Sequence, residues 1–426
     1  MRPWIIFLIF LCAPSRLISQ VQGPSVQPGA AKGVASLTAL VQETMARNPE
    51  IQAAWRAVQA KRARIPQAGA WPDPRLSVSY GGNVLPPFTV MAGDPSSARQ
   101  VMAEQEIPYP GKTRLRTEIA SRDADAEAMA YEAVWRRIAA EVKLAYFDLW
   151  LTDQSLSTLR KDRALLENFE KIAEIRYSVG KGAQQDVLKA QVELTRLLER
   201  QTVLEQSRQT FQAQLNSLRN LPADVPLSTP GDLKVSNLGT SLEELQAAAQ
   251  TNYPALKQQR TMVAEKRLSV DLAKREVRPD FSVGYTYMQR DRLPDMYGIT
   301  LSTSLPLFRH RKQVMAIAEA TANLESSRQM EASELTMLRY RVNQEFLDVQ
   351  ASEQLVKLYS QGIVPQSSLA LESSISSYET GAVDFLNVLN NFTTVLDYEL
   401  STQQQRADHE KALARLEELT ALRLIQ

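Results

Sequence analysis

One cysteine, Cys12, and two histidines, His310 and His409, are all that 426 residues contain of those types. So few of either exclude disulfide frameworks, thiol redox pairs and His/Cys zinc sites, and with them most catalysis that leans on these side chains. Charge of one sign is also lacking: 49 Lys and Arg face 48 Asp and Glu, a formal net charge of +1, which argues against nucleic acid as a partner. Gly111-Lys112-Thr113 has the ending of a phosphate-binding loop, but Glu106 stands where its first glycine is required. No catalytic residue, metal ligand or cofactor is therefore expected. Past the first residues no stretch of about 20 continuous apolar residues occurs, so any membrane span downstream would have to be built of strands.

The N-terminus is different. Arg2 precedes an apolar run from Trp4 to Ala13 that is too short for a stable membrane helix and reads as a signal peptide, residues 1–23, followed by a linker over 24–36. Ala13-Pro14-Ser15 and Val21-Gln22-Gly23 both offer small residues for cleavage. Leu11, where a lipidated cysteine would follow a small residue, argues against lipid on Cys12.

What is present is an internal repeat at a spacing of about 200 residues. Asn48-Pro49-Glu50-Ile51 matches Asn252-Tyr253-Pro254-Ala255, and the segment Pro74–Tyr80 matches Pro279–Tyr285. Ile107-Pro108-Tyr109 matches Leu305-Pro306-Leu307, and Tyr146-Phe147-Asp148-Leu149 matches Phe346-Leu347-Asp348-Val349. Tyr177-Ser178-Val179-Gly180 with Val187-Leu188 matches Tyr378-Glu379-Thr380-Gly381 with Val388-Leu389. The repeats are expected over 37–220 and 242–426, joined by a Pro/Gly/Ser/Asp-rich linker over 221–241.

Each half reads as helix, two strands, a very long helix and a further helix. Leu76, Val78 and Tyr80 alternate with serines, and Phe281, Val283, Tyr285 and Tyr287 alternate with Ser282, Gly284 and Thr286. Tyr297, Ile299, Leu301, Thr303 and Leu305 continue the pattern, predicting strands over about 75–82, 99–107, 280–289 and 297–306. The period then changes to that of a coiled coil. Val134, Ile138, Val142, Ala145, Leu149, Leu156, Leu159, Leu166, Phe169 and Ala173 form one seam, and Leu335, Leu338, Val342, Phe346, Val349, Val356, Tyr359 and Ile363 the other. Long helices are predicted over 113–177 and 312–379, the latter bent at Pro365, with further helices over 186–219 and 386–424.

Four strands cannot close a membrane barrel alone, because the smallest need about eight and an open edge in lipid leaves backbone groups unsatisfied. A barrel shared by three copies would have twelve. The expected fold is mainly α, a trimeric 12-stranded β-barrel continuous with a coiled-coil α-barrel. The lipid-facing residues would be Leu76, Val78, Tyr80, Phe281, Val283, Tyr285, Ile299 and Leu301. The alternative is a periplasmic coiled-coil adaptor or structural rod without a barrel.

The repeat, the Tyr-x-x-Gly turns before Asp186-Val187-Leu188 and Asn387-Val388-Leu389, and the segment Leu301–Phe308 resemble the TolC family of outer-membrane efflux channels, over about Leu37 to Leu424. The segments Glu106–Lys112 and Leu305–Arg309 look most like its metal-cation efflux branch. The resemblance implies a homotrimer in outer-membrane lipid with a periplasmic helical extension. Its partners would be a periplasmic adaptor and an inner-membrane pump of the resistance-nodulation-division type. It implies further that Tyr177, Gly180, Asp186, Tyr378, Gly381, Asn387 and Asn390 form the periplasmic tip and gate. The family's Asp and Tyr match Asp186 and Tyr378, but Asn387 and Asn390 stand where it has inward carboxylates and Val383 where its best-known member has a basic residue. Hydrogen bonds from Tyr378, Asn387 and Asn390, in place of a salt bridge, are the expected restraint. Helix N-capping is the plain alternative for Asp186.

Overall fold

The computed structural model describes residues 36–82, 90–229 and 233–425. The expected signal peptide with Cys12, the linker up to residue 35, Pro86-Pro87 and Gln426 lie outside the described residues. The first half contains α1 (Leu37–Arg47), α2 (Pro49–Gly69), β1 (Arg75–Gly81), β2 (Ala98–Ile107), α3 (Lys112–Ser178) and α4 (Gln184–Leu218). The second contains α5 (Leu242–Asn252), α6 (Pro254–Arg275), β3 (Phe281–Gln289), β4 (Met296–Thr303), α7 (Gln313–Leu358), α8 (Val364–Thr380) and α9 (Phe385–Thr420).

Where one opening helix was expected in each half there are two, and the proline of the matched motif is the reason. The residue before a proline is driven out of the helical region, so Asn48 (ψ 123°) and Tyr253 (ψ 119°) are extended and Pro49 and Pro254 start new helices. The two asparagines also share a task. Asn48 Nδ2 donates to Leu218 O at 2.9 Å, Asn252 Nδ2 to Thr420 O at 3.3 Å, and each thereby holds the last helix of its own half.

Helix α3 runs unbroken for 67 residues, a length of about 100 Å at 1.5 Å per residue. Its seam from Ile138 to Ala173 is buried. The single helix expected over 312–379 is instead two, α7 and α8, separated by a π-helical turn at Tyr359–Ile363. Pro365 has no N–H for the carbonyl four residues back, and the Val364 N–H bonds Tyr359 O five residues back, so the ladder widens at the proline.

The four strands form one antiparallel sheet in the order β1-β2-β3-β4. β4 stops at Thr303 and does not reach Pro306: Leu305 lies past the strand, where the Leu307 N–H bonds Leu305 O at 2.9 Å in a tight turn. One apolar cluster packs Val142 and Phe147 against Leu215, Leu245, Leu338 and Leu413 midway along the helices. A second packs Leu159–Ala173 against Leu197, Phe385 and Phe392 toward the far turns.

Residues 221–241 hold no helix or strand among those described, yet they are tied down. Asn216 donates to Ala223 O and Val225 O, and Arg208 donates to Leu227 O. The Ser236 N–H and Oγ donate to Glu410 at 2.6 and 3.1 Å, and Ser236 O lies 2.8 Å from His409 Nε2. His409 is fully buried. Burial pushes the Glu410 carboxyl up, and the two Ser236 hydrogen bonds oppose that shift. α9 ends at Thr420 and not at residue 424, with Glu417 accepting the N–H groups of Leu424 and Ile425 at 2.7 and 2.8 Å.

Candidate functional site: sheet face, junction and helical tip

Strand register decides what the sheet presents. Leu76 pairs with Ala103 and Val78 with Val101; Ala103 pairs with Tyr285 and Gln105 with Val283; Tyr285 pairs with Ile299 and Val283 with Leu301. Cross-strand partners lie on the same face, so Leu76, Val78, Tyr80, Phe281, Val283, Tyr285, Ile299 and Leu301 share one side. Seven of the eight are exposed, Ile299 by 81% and Val78 by 76%, and Tyr80 is half-buried. The opposite face carries Ser77, Ser79, Gln100, Glu104, Glu106, Ser282, Thr286, Thr300 and Ser302. Val101, Tyr287 and Tyr297 complete the apolar side and are missing from the expected set. β2 alternates too weakly in sequence for Val101 to be recognised without its neighbours. Tyr285, Tyr287 and Tyr297 cluster at the end away from the helices, with centroids 5.4 and 6.3 Å apart.

The junction from β2 to α3 is built on Lys112, which sequence inspection treats only as a fragment of a phosphate loop. Its ammonium is buried and donates to Arg278 O at 2.7 Å and Asp280 Oδ1 at 2.9 Å, while the Tyr109 N–H donates to the same carboxylate at 2.6 Å. Gly111, at φ +91°, brings the backbone against Arg275, which bonds Pro110 O at 3.0 Å. The start of α3 is thus locked to the start of β3. In the second half the corresponding stretch is open, with Leu305, Leu307 and Phe308 all exposed.

At the far end of the long helices Gly180 (φ +73°) and Gly381 (φ +81°) adopt the left-handed conformation that reverses the chain. Asp186 is not the cap of α4. Ala183 holds that position and Asp186 lies in the first turn, its N–H bonded to Ala183 O at 3.0 Å. Tyr177, Asn387 and Asn390 are exposed, and Asn390 O accepts from Thr393 and Thr394. Tyr378 is brought inward: its ring meets Phe385 at 5.5 Å and its hydroxyl is buried without a hydrogen-bond partner within the chain. The expected hydrogen bond from that hydroxyl is therefore absent in the protomer. Burial pushes the Tyr378 phenol up, with the nearby Asp186 carboxylate adding to the shift and Arg176 opposing it.

The residue that joins the two turns is Arg176, absent from the expected set. Nη1 donates to Tyr378 O at 2.5 Å and Glu379 O at 3.0 Å, Nη2 donates to Lys181 O at 3.3 Å, and the guanidinium sits 4.6 Å from the Tyr378 ring centroid. An arginine in the last turn of a helix is the available sequence signal.

Residues 40–221 match the family model described as outer membrane efflux protein. No curated protein sequence matches the chain. Among solved structures the chain is similar to the outer membrane protein VceC from Vibrio cholerae, with 16% identity over 90% of this chain and 95% of that one, TM-score 0.77. It is similar to CusC, a protein that forms a transmembrane channel, with 14% identity over 94% and 98% of the two chains and TM-score 0.77. The open state of the MtrE outer membrane channel from Neisseria gonorrhoeae matches with 18% identity over 90% and 88%, TM-score 0.69. The first half is thus similar in sequence to outer membrane efflux proteins, and the chain shares, over nine-tenths of its length, the fold of these outer-membrane channels.

Proposed function

We propose that three copies of this chain form the exit duct of a tripartite efflux system in the outer membrane. Their twelve strands enclose a pore, and the long helices extend it into the periplasm toward an adaptor and an inner-membrane pump of the resistance-nodulation-division type. One observation carries the reading: a sheet with two open edges whose apolar face is exposed while its other face is polar. In a water-soluble rod that face would be a large bare apolar patch, which monomeric proteins avoid. In a closed barrel the same residues meet lipid, and the serines, threonines and glutamates line water. The likeness of Glu106–Lys112 to the metal-cation branch supports a metal-cation cargo, which metal sensitivity of a strain lacking the gene would test.

Barrel closure makes a residue-level expectation. Ala103 lies opposite Tyr285 where β2 meets β3. Thr303 and Tyr80 hold the matching places in the other hairpin of the repeat, so β4 laid on β1 of the next copy puts Thr303 opposite Tyr80. A Tyr80→Cys/Thr303→Cys variant should give covalent trimers on oxidation, with Cys12 as the only other cysteine in the sequence. Monomers alone, from protein that is properly inserted, would overturn the shared barrel.

A further inference from the structure

Two hairpin tips end the helical part, one from each half, and a single side chain spans them. Arg176 leaves the last turn of α3 and reaches two carbonyls in the last turn of α8, Tyr378 O and Glu379 O, where a cation also meets the negative end of the helix. The same guanidinium reaches back to Lys181 O in its own turn and lies over the Tyr378 ring. A Cβ added at Gly381 would come to 3.3 Å of Nη2, so the glycine leaves room for the fork as well as reversing the chain. The second apolar cluster ends at this point, with Ala173, Tyr378 and Phe385. Arg176 Nε is buried without a partner, as is the Tyr378 hydroxyl.

We propose that Arg176 is the positioning residue that latches the second-half tip to the first-half tip and so sets the resting width of the periplasmic end. The proposal rests on the channel reading and adds the residue through which the two hairpins of one protomer are coupled. The α8–α9 turn cannot swing away from the α3–α4 turn without losing, at once, two charge-assisted hydrogen bonds and a ring contact. Val383 supplies no basic residue from the second half, and Arg176 supplies the guanidinium from the first. Tyr378 takes part through its carbonyl and its ring, and its hydroxyl makes no contact in the latch.

Purified trimers in planar bilayers test this. Arg176→Ala should raise the open fraction at rest by about tenfold, the factor that corresponds to about 1.4 kcal/mol. Arg176→Lys should restore part of the closure, because an ammonium reaches the carbonyls but has neither the fork nor the planar face. Heat-resistant trimers on an unboiled gel establish that each variant is assembled; should Arg176→Ala fail to assemble, Arg176→Gln, of similar length and without charge, carries the measurement. An assembled Ala or Gln variant with the parent's resting conductance would overturn the latch and leave the channel intact. A parent that forms trimers but conducts nothing under any condition would overturn the channel reading, and the latch with it.

Discussion

Phe147 and Leu347 occupy matched places in the two halves, yet Phe147 is 1% exposed and Leu347 52%. Trp150 is likewise buried where Gln350, three residues past Leu347, is exposed. The difference lies in the neighbours. α3 is packed by α2, α4, α6 and α9 of its own chain, whereas α7 has α6 and α9 with the short α5. α6 lies between α3 and α7 and serves both; α2, its counterpart, serves α3. A single chain therefore covers α3 more fully than α7, and in the trimer proposed above the open flank of α7 would take the α2 of another copy. The comparison teaches that matched positions of a repeat differ in burial because their neighbours differ, and on the proposed assembly the exposed ones are contact sites.

The largest effect that would sharpen this contrast comes from the two matched residues. Phe147→Ala should cost about 3–5 kcal/mol, since a filled site is emptied in a packed cluster. Leu347→Ala should cost about 1 kcal/mol and only in the assembled trimer. Denaturant unfolding at several protein concentrations checks both: a concentration-independent loss for Leu347→Ala would mean that α7 is covered within its own chain.

Burial of α3 has a smaller consequence at Asp162. Its Oδ2 is buried without a partner, and burial, with Glu399 adding, raises its pKa from 3.8 to about 6. The folded state thus favours the neutral acid. Its contribution is fully present below the unfolded value and is lost as pH rises through the folded one. Asp162→Asn should stabilise the protein by about 1–3 kcal/mol at pH 7.5 and change little at pH 4. Thermal unfolding at the two pH values decides it, and an equal gain at both would assign the effect to something other than ionisation.

The smallest effect separates the matched asparagines. Asn48 Oδ1 accepts the N–H groups of Glu50 and Ile51 as the cap of α2, whereas Tyr253 takes the cap position of α6 without a side-chain bond. Asn48→Ala should therefore cost about 1 kcal/mol in cap energy, and Asn252→Ala only the loss of its bond to Thr420 O. Helix content and melting temperature measured side by side would break the distinction if the two losses were equal.

Legibility in the sequence followed how local the cause is. The alternation at Leu76, Val78, Phe281 and Val283 and the seam through Ile138, Leu149 and Leu166 are short-range patterns, each readable from a few residues. The break at Asn48 was legible in Pro49, but the paired reading of the motif as one helix overlooked what a proline does to the residue before it. The π turn was half legible: Pro365 announced a disturbance, and only the packed helix placed it over Tyr359–Ile363. Lys112, His409 and Arg176 were not legible, because their partners, Asp280, Ser236 and Tyr378, lie about 168, 173 and 202 residues away along the chain.

The sequence by itself determined the repeat, the change from a period of two to a helical period, and a strand count too small to close. Those properties follow from backbone geometry and the spacing of apolar side chains, which act within a turn or a strand. The tertiary structure alone decided that β2 lies between β1 and β3 with Val101 on the apolar face, that Ser236 is strapped to α9, and that one arginine joins the two tips. Such contacts depend on which distant surfaces meet and in what register, and no pattern confined to a few neighbouring residues carries that information.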